Sequence, residues 1–533
     1  MTHLMLCQIG PVQAFIAAGR RTADLYVGSK LLSQIAAAGV DAAQQTGADM
    51  IFPTTTDMND ETAASVPHRF AFLTEYEPVA VAAHVRDAVV TRWDTVANDV
   101  RDFLKDKVFH SAQGDWYDAF ERTKNNWLEF YWVALPYEEI RHGEIFREAG
   151  QALAQRKNMR QFHQIEESGW KCTLTGASSA LPIPPAIASS DYRTMRNAWQ
   201  AFSKRFDSEG KMIRPSEMLG AQAVVKRFAF RAKTLDRENF PSTRHIAGLG
   251  DDAVETEGKE VEGYFAVLHM DGDKMGAAFS QLADMKAHQE FSSTLERFAR
   301  VRVPQIIAGY NGVKRVSNGV TKLVYAGGDD VLALLPLRSV LACADEIRRA
   351  YAETLGTLVT NPTMSAGIAI VPENYPLDMA LDLSRRAEHM AKESYGRDAV
   401  VLIEAHGSGG NRTAGAKWQL EDTRSIADLV DTLITYFAGD DPVLSAKLGF
   451  DLQETLVYAL TLPGMQEARA AEVRRLLKRR SASRLSAEDR AALIAYLAPL
   501  LTQWGEHEAV GWEAVTNWII FARFLASDGK VRA

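Results

Sequence analysis

The stretch KLVYAGGDDVLALLP, residues 322–336, constrains the fold of this chain more than any other. Its two apolar runs lie on either side of turn-forming residues, a pattern that predicts two buried strands joined in a hairpin. Gly327 and Gly328 give the tip the backbone freedom that a tight turn requires. The tip also carries the adjacent aspartates Asp329 and Asp330. Two neighbouring negative charges oppose the folding of an apolar hairpin, which indicates a function that needs them.

A second acidic segment follows the strand-like run YFAVLHMD and contains Asp271, Gly272 and Asp273. If this strand and the hairpin are neighbours in one sheet, their acidic ends lie side by side. Carboxylates that close repel each other unless a cation lies between them. Mg²⁺ is the natural candidate, since it prefers oxygen ligands and is held by carboxylates together with substrate phosphates. Glycines in both segments would let a triphosphate approach, and two such ions could hold both oxygens of a phosphoryl displacement.

A structural interpretation competes with this one. Gly-Gly-Asp-Asp and Asp-Gly-Asp are each good turn sequences, so either motif alone is explained almost as well by turn formation. Both motifs in one domain, in that strand order, favour a metal and nucleotide site. Lys392 and Arg397 follow on the last predicted helix and its turn, and these residue types are the usual partners of phosphate groups.

The region around the two motifs alternates strands and helices regularly. A strand and a helical stretch precede the hairpin, and a helix, the strand TMSAGIAIV, an amphipathic helix and the strand AVVLIE follow it. This order predicts an α+β sheet with helices on one face. A Gly-rich segment, AHGSGGNRTAG, is predicted to end the domain.

The remaining regions are less regular. The first opens with the strand HLMLCQIG, continues as helix from Val12, and contains a predicted buried strand at Tyr131 to Leu135. The second contains the strand-like AQAVVKRFAF and ends in a predicted linker, residues 248–263. The last has helical periodicity and almost no strand signal. We therefore predict four domains, which are 1–165, 166–258, 259–415 and 416–533.

Composition excludes several functional classes. The chain is 47% hydrophobic and 24% charged, as in an ordinary globular protein, and no apolar run approaches the length of a membrane span. Three widely separated cysteines predict a reducing, cytoplasmic location and no cysteine zinc site. A net charge of −8 means that any contact with nucleic acid must be local.

The palm motifs resemble those of nucleotide cyclases, GGDEF-type dinucleotide cyclases and many polymerases, although a GGDEF enzyme would continue with an acid and phenylalanine where this chain has Asp330 and Val331. The wider chain resembles the large palm-containing subunit of type III-B (Cmr-type) CRISPR effector complexes, the CRISPR polymerase family. The matching segments occur in the family's order. They are IGPVQAFIAAGRRTADLYVGSKLLS (9–33), QRKNMRQFHQIEESGWKCTLTG (155–176), AVVKR (223–227), FPSTRHIA (240–247), MDGDKMG (270–276), YAGGDDVLAL (325–334), SAGIAI (365–370) and WIIFARFLA (518–526).

This resemblance implies two ferredoxin-like palm domains, an inserted helical domain and a C-terminal helical domain. The first palm would be degenerate, with Gln8 where a metal-binding acid might stand, and would support nucleotide binding or act as scaffold. The second palm would be a metal-dependent nucleotidyltransferase that joins ATP through 3′–5′ bonds into cyclic oligoadenylates. It would do so when the complex, with its other subunits and guide RNA, binds target RNA.

The resemblance also assigns roles to residues. Asp271 and Asp329, with Asp330 beside them, would bind Mg²⁺ or Mn²⁺, and the carbonyl of Gly272 is a further candidate ligand. Lys392 and Arg397 would hold the triphosphate. Gly327, Gly328 and Asp273 complete the predicted nucleotide site.

Two features that many family members carry are not expected here. None of the 12 histidines is followed by aspartate, so no HD-type nuclease domain is predicted, and Cys172 is the single cysteine near the inserted domain, so no zinc is expected there. Two other functions remain open. The palm could join ATP to another adenosyl partner such as S-adenosylmethionine, or the chain could be a scaffold subunit that binds nucleotide without turnover.

Overall fold

The computed structural model describes most of the chain. The described residues are 1–54, 66–107, 115–159, 167–184, 186–187, 189–206, 212–232, 240–249, 263–311, 319–405, 410–421, 424–439, 441–459, 466–482, 485–502 and 508–527. The predicted boundaries at 165/166 and 258/259, and most of the predicted linker, lie outside these residues. The four predicted domains therefore stay predictions.

The chain divides into two compact units. The first comprises Met1–Phe240, Lys274–Arg300 and Val324–Gly328, and the second comprises Pro241–Asp273, Val301–Leu323 and Asp329–Ala533.

The strands of the described chain are β1 (His3–Gly10), β2 (Asp49–Phe52), β3 (Arg69–Thr74), β4 (Glu129–Pro136), β5 (Tyr264–Gly272), β6 (Lys322–Gly327), β7 (Asp330–Pro336), β8 (Met364–Pro372), β9 (Ala399–Ala405), β10 (Asn411–Lys417), β11 (Gln419–Glu421) and β12 (Arg424–Ser425). The helices up to β9 are α1 (Val12–Ala17), α2 (Thr22–Gln45), α3 (Pro78–Lys107), α4 (Asp115–Thr123), α5 (His142–Asn158), α6 (Tyr192–Lys204), α7 (Ala221–Phe228), α8 (Thr243–Ile246), α9 (Met275–Ser280), α10 (Met285–Arg297), α11 (Val303–Gly309), α12 (Val340–Leu355) and α13 (Leu377–Glu393). The C-terminal helices are α14 (Ile426–Phe437), α15 (Leu448–Ala459), α16 (Gln466–Arg480), α17 (Ala487–Thr502) and α18 (Glu508–Ala526).

The first sheet has the order β2-β3-β1-β4, and the second has the order β10-β9-β8-β5-β7-β6. Four strands of the second sheet, β6-β7-β5-β8, repeat the arrangement of the first, and β9 and β10 extend it. In each, the first strand of the unit lies between the second strand of a hairpin and the strand that follows the next helical segment. Two ferredoxin-like palm sheets were predicted, and this repeated topology confirms that fold class.

The central strands of the second sheet are apolar along their length because both faces are covered. Residues of β8 are buried without exception, and β5 is buried from Phe265 to Met270. Strand β5 pairs antiparallel with β7 and β8, whereas β8 and β9 run parallel. The predicted order of strand, helix, hairpin, helix, strand, helix and strand is confirmed.

Three local predictions were wrong or incomplete. The strand-like segment AQAVVKRFAF forms helix α7, and strand β4 is half-buried rather than buried. The segment predicted to end the domain after β9 instead contains β10, which pairs antiparallel with β9 and adds an edge strand. Alanine and glycine at positions 414–416 of β10 suit an edge where neighbouring groups approach closely, and local propensity alone does not reveal this.

Helix α7 forms because tertiary contacts outweigh the weak helix preference of its valines, a difference of about half a kcal/mol each. The Nζ of Lys226 donates hydrogen bonds to the carbonyls of Phe15 and Ala18 at 2.5 and 2.7 Å. The guanidinium of Arg227 binds Asp24 at 2.8 Å and Glu217 at 2.9 Å, and all three side chains are buried. Pairing of this kind is what allows the charges of α7 to be buried.

Two histidines in the first unit form a buried chain of hydrogen bonds. The Nε2 of His142 lies 3.0 Å from Nδ1 of His288, and the hydroxyl of Tyr137 lies 3.0 Å from Nδ1 of His142. The rings of Phe52 and Phe279 stack on His288. Burial and, to a smaller extent, the nearby His142 together lower the pKa of His288 to about 3. His288 is therefore neutral in the folded state at neutral pH.

We expect His288 to make the first unit less stable in acid. Its pKa in the folded state is below the ordinary value of 6.5, so the unfolded state binds the additional proton below pH 6.5 and stability falls from there towards pH 3. The loss should be about 2 kcal/mol at pH 5. Urea unfolding at pH 7.5 and pH 5 would measure it. His288→Phe should lose this part of the pH dependence, whereas His84→Phe, at an exposed position, should keep it. An unchanged pH dependence in His288→Phe would contradict the prediction.

The end of the chain is helical, as predicted, with the small β11–β12 hairpin before α14. Helix α18 packs along the outer edge of β10. There Asn517 Nδ2 donates to the carbonyl of Thr413 at 2.7 Å, and Trp518 Nε1 donates to that of Gly415 at 3.1 Å. These side-chain hydrogen bonds satisfy two edge carbonyls of β10 that a further strand would otherwise bind. Within the described part of the chain, every helix is too short or too polar to span a membrane.

Candidate functional site

The acidic residues come together where strands β5 and β7 lie side by side. Met270 of β5 is opposite Val331 of β7, so Asp271 at the end of β5 is next to Asp330 at the start of β7. Asp329 precedes β7, and the backbone turns into it through Gly328, whose φ is +68°. The sequence prediction that these three aspartates share one edge of the sheet agrees with this register.

Two glycines of the site are required by close packing. A Cβ at Gly272 would lie 2.5 Å from the Tyr351 hydroxyl and 2.8 Å from the Cβ of Asp329. A Cβ at Gly327 would lie 2.1 Å from the hydroxyl of Tyr325. The close contacts are made by protein side chains, so the structure explains these glycines without a ligand. Their predicted role in admitting a triphosphate stays a prediction.

The three carboxylates interact unfavourably. Burial raises the pKa of Asp271 to about 6, with Lys392 opposing the rise and Asp330 and Glu388 adding to it. Burial and the neighbouring Asp271 and Asp330 raise the pKa of Asp329 well above its ordinary value. Burial is the largest cause of both shifts and repulsion between the carboxylates adds to it, so a cation bound here would stabilise the ionised forms.

Lys392 supplies the positive charge in this structure. Its Nζ binds the carboxylate of Asp271 and lies 2.8 Å from Oε1 of Glu388. Its pKa is raised because Asp271 and Glu388 outweigh the effect of burial. The predicted phosphate-binding lysine is thus in contact with a predicted metal ligand.

His269 is a member of the site that sequence reasoning missed. Its Nε2 lies 3.1 Å from Oδ1 of Asp330, and this hydrogen bond raises the pKa of His269 although burial acts to lower it. His269 lies two positions before Asp271, and alternate residues of a strand share a face. That spacing was the signal that could have identified it.

Asp273 is bonded on both of its carboxylate oxygens. They accept hydrogen bonds from Thr363 Oγ1 and Ser365 Oγ, both at 2.8 Å, and from the backbone N–H of Asp398 at 2.9 Å. The guanidinium of Arg397 approaches to 3.8 Å. Asp273 thus ties the end of β5 to β8 and to the turn before β9, and its predicted contact with a cofactor stays a prediction.

The chemistry of the donor set fits a divalent cation such as Mg²⁺ or Mn²⁺. As the side chains stand, the described residues contain no group of three or more His, Cys, Asp or Glu arranged around a metal ion. In this arrangement the ammonium of Lys392 contacts the carboxylate of Asp271. Asp271, Asp329 and Asp330 would hold the ion if Lys392 moved from Asp271 to a phosphate group.

The first sheet contains a cavity at the corresponding place. Its volume is about 480 Å³, and it is lined by Gln8, Ile9, Gly10, Pro11, Val12, Gln13, Ala14, His68, Glu129, Tyr131 and Lys157. Gln8 is opposite Arg69, as Met270 is opposite Val331 in the second sheet.

This register corrects one sequence-based expectation. Gln8 was expected where a metal-binding acid might stand, but Ile9 is the counterpart of Asp271, and His68 is that of Asp330. One basic residue of the second sheet's site has a counterpart beside the first sheet. Helices α5 and α13 both have 17 residues, and Lys157 is the penultimate residue of α5 as Lys392 is of α13.

A sheet of this topology, with carboxylates at the ends of two adjacent central strands and basic residues in the last turn of α13 and in the turn after it, is typical of palm domains. Comparison with known families shows which palm domains this chain resembles. Residues 264–401 match the Cas10/Cmr2 second palm domain, and residues 4–98 match the N-terminal region of the CRISPR-associated protein Cmr2. The two segments are similar to these families, and the predicted resemblance to the type III-B large subunit is confirmed.

Individual proteins and solved structures of type III CRISPR complexes are also similar to this chain. The Cmr2 subunit of the Pyrococcus furiosus Cmr system is 31% identical over 175 residues, which cover 30% of this chain and 20% of that protein. A type III-B Cmr-beta structure bound to cognate target RNA aligns with a TM-score of 0.60 and 13% identity, over 91% of this chain and 79% of that chain. A Csm1–Csm4 cassette in complex with pppApApA aligns with a TM-score of 0.54 and 15% identity, over 98% and 69% of the two chains. The structural matches support the fold, and the sequence match spans about one fifth of the curated relative.

Proposed function

We propose that this chain is the large subunit of a type III CRISPR effector complex and converts ATP into cyclic oligoadenylates when target RNA binds. The observation that carries the proposal is the register of β5 and β7, which brings Asp271 next to Asp330, with Asp329 directly before it, at one edge of the sheet. The Csm1–Csm4 neighbour with pppApApA supports a linear oligoadenylate as the intermediate. The Cmr-beta neighbour with target RNA supports other complex subunits, guide RNA and target RNA as partners.

In the proposed reaction a ribose 3′-hydroxyl attacks the α-phosphate of a second ATP. The bond between the 3′-oxygen and the α-phosphorus forms, the bond from that phosphorus to the bridging oxygen breaks, and pyrophosphate leaves with those electrons. The metal would supply charge stabilisation at the attacking and leaving oxygens when bound. Asp271, Asp329 and Asp330 would hold it, and His269 would keep Asp330 in its orientation through the 3.1 Å contact.

Basic residues bind the triphosphate in this scheme. Lys392 exchanges its contact with Asp271 for a phosphate oxygen, and Arg397 approaches from the turn after α13. This exchange would keep each charge paired, because Asp271 would hold a metal ion once Lys392 had moved away. The lysine would then pair with Asp271 when no nucleotide is bound and with the triphosphate when one is.

Release of pyrophosphate from ATP tests the proposal directly. The complex with guide RNA should release it when target RNA and Mg²⁺ are present, and chelation of the metal should stop the release. A complex that binds ATP and target RNA without releasing pyrophosphate would be a nucleotide-binding scaffold. Release that depends on added S-adenosylmethionine would indicate an adenosyl conjugate as the product.

The cavity of the first sheet favours a second function, which is binding of a further nucleotide without metal. It keeps a lysine, Lys157, but has Ile9 and His68 in place of two carboxylates. Lys157 can bind a phosphate group directly, and Glu129 is the one carboxylate among the described residues of the lining. The first palm would then present a nucleotide rather than activate one.

We expect Lys157→Met to raise the KM for ATP about tenfold with a smaller effect on kcat, since one charged contact to phosphate is lost. Arg156→Met is the matched control, because Arg156 is exposed on the same helix and does not line the cavity. Steady-state pyrophosphate release would give both constants. Equal KM values for the two variants would argue against a nucleotide in this cavity.

A further inference from the structure

The turn between α13 and β9 has an unusual backbone. Gly396, Arg397 and Asp398 have φ values of +69°, +66° and +45°. The left-handed region suits glycine, but it is unfavourable for arginine and aspartate. Two consecutive non-glycine residues stay there only where the surrounding structure holds them, and such conformations concentrate at functional sites. The contacts that hold this turn therefore bear on the function of Arg397.

One side chain outside the predicted site makes the main contacts with the turn. The Nζ of Lys417 donates hydrogen bonds to the carbonyl of Gly396 at 2.8 Å and to that of Arg397 at 2.6 Å. Both carbonyls belong to the left-handed segment. A lysine ammonium has three donors and can serve two carbonyls at once.

Neighbouring groups fix the rest of the turn. The N–H of Asp398 donates to Asp273, and its carbonyl accepts from the N–H of Trp418 at 3.1 Å. Tyr395 lies against Gly415 of β10 so closely that a Cβ there would be 2.2 Å from the tyrosine ring. Strand β10 and the turn are thus packed against each other over several residues.

The strand that carries Lys417 is itself held on both sides. Lys417 pairs with Ala399 of β9, and the outer edge of β10 is bound by Asn517 and Trp518 of α18. The lysine therefore extends from a fixed strand, and the turn takes its position from that strand.

Arg397 has unused hydrogen-bonding capacity at this turn. Its guanidinium lies 3.8 Å from Asp273 and 3.6 Å from Glu393, which are longer than hydrogen bonds, and its side chain is 34% exposed. N–H groups that make no short hydrogen bond to these carboxylates can bind an arriving phosphate.

We propose that Lys417 is a positioning residue for nucleotide binding: its ammonium holds the left-handed turn 396–398 so that Arg397 faces the triphosphate. The proposal rests on the proposed function, because it assumes that a triphosphate binds beside Asp271. Lys417 acts through the backbone of the turn and makes no contact with the nucleotide. Without it, the two non-glycine residues return to more favourable conformations and Arg397 loses its orientation.

Two measurements on the full chain test this. Calorimetric titration with ATP and Mg²⁺ should show binding about tenfold weaker for Lys417→Met, as expected when one charged contact loses its orientation. Hydrogen–deuterium exchange should be faster in peptides covering 394–399, where the N–H of Asp398 is protected in the wild type. Lys417→Arg, whose fork can also reach two carbonyls, should restore part of both properties. Lys447→Met, at an exposed position in the same unit, should resemble the wild type.

The outcomes separate the two proposals. Wild-type affinity and exchange in Lys417→Met would overturn the positioning role and leave the proposed function intact. Weaker binding with unchanged exchange at 394–399 would also overturn it, since Lys417 would then act on the nucleotide directly. A wild-type chain that binds no ATP would overturn the proposed function, and the exchange measurement would still show whether Lys417 holds the turn.

Discussion

Replacing Asp329 and Asp330 together by asparagine is expected to reduce pyrophosphate release by about a thousandfold or more, the scale seen when charge stabilisation at a reacting group is lost. The chain should remain folded and become more stable at pH 7. Folding raises the pKa of Asp329 above its ordinary value, so the ionised carboxylate costs stability above that value. Asparagine has the same shape and removes this cost.

The matched control is Asp378→Asn with Asp382→Asn, which changes the net charge equally at exposed positions of α13. Thermal unfolding and pyrophosphate release of both double variants would decide the question. Retained activity in Asp329→Asn/Asp330→Asn would remove these residues from the site. A loss of folding would show that the hairpin carboxylates are structural, contrary to their mutual repulsion.

Asp273→Ala is expected to have the second large effect, on stability and activity together. It would leave three donors without their acceptor, namely Thr363, Ser365 and the N–H of Asp398. At about 1 kcal/mol for each lost bond, the free energy of unfolding should fall by about 3 kcal/mol. ATP binding should weaken too, because Asp273 holds the turn that carries Arg397.

Ser365→Ala provides the comparison for Asp273→Ala. It removes one of the three bonds and should cost about 1 kcal/mol, with the turn still held by the remaining two. Urea unfolding gives both values, and calorimetry gives ATP affinity. If Asp273→Ala were as stable as the wild type but unable to bind ATP, Asp273 would contact the nucleotide or its metal directly, as the sequence analysis first suggested.

The sequence was most informative where polar residues interrupt strong periodicity. Apolar runs predicted β5, β7, β8 and β9, and the acidic residues at their ends predicted which edge of the sheet carries the site. Strand pairing then follows from topology, because a hairpin and the preceding strand of a palm sheet are adjacent. Asp271 and Asp330 could therefore be placed together without a structure.

Other features depend on contacts that no local pattern encodes. Helix α7 was taken for a strand because two valines suggested one, and two of the partners that hold it, Ala18 for Lys226 and Asp24 for Arg227, lie some 200 positions away in the chain. The contacts of Lys417 could not be predicted for a similar reason, since its partners are carbonyls of a turn about 20 residues earlier in the chain. The contact between Lys392 and Asp271 was not predicted either, because the sequence analysis assigned the lysine to phosphate and the aspartate to a metal ion.

The sequence also did not reveal which residues of the first sheet correspond to the acidic residues of the second. Ile9 and His68 share no chemistry with Asp271 and Asp330, so only the strand register relates them. Sequence reasoning chose Gln8, one residue away, because a polar residue at a strand end was the available signal. A one-residue shift moves a side chain to the other face of a strand, so the choice matters for what the cavity can bind.

Mass spectrometry of the reaction products tests the central claim most directly. The guide-loaded complex would be incubated with ATP and Mg²⁺, with and without complementary RNA, and with S-adenosylmethionine in a parallel reaction. The proposed function predicts cyclic oligoadenylates with target RNA, none without it, and none from Asp329→Asn/Asp330→Asn. A complex that binds target RNA and ATP but yields no adenylyl product, or yields one only with S-adenosylmethionine, would contradict it.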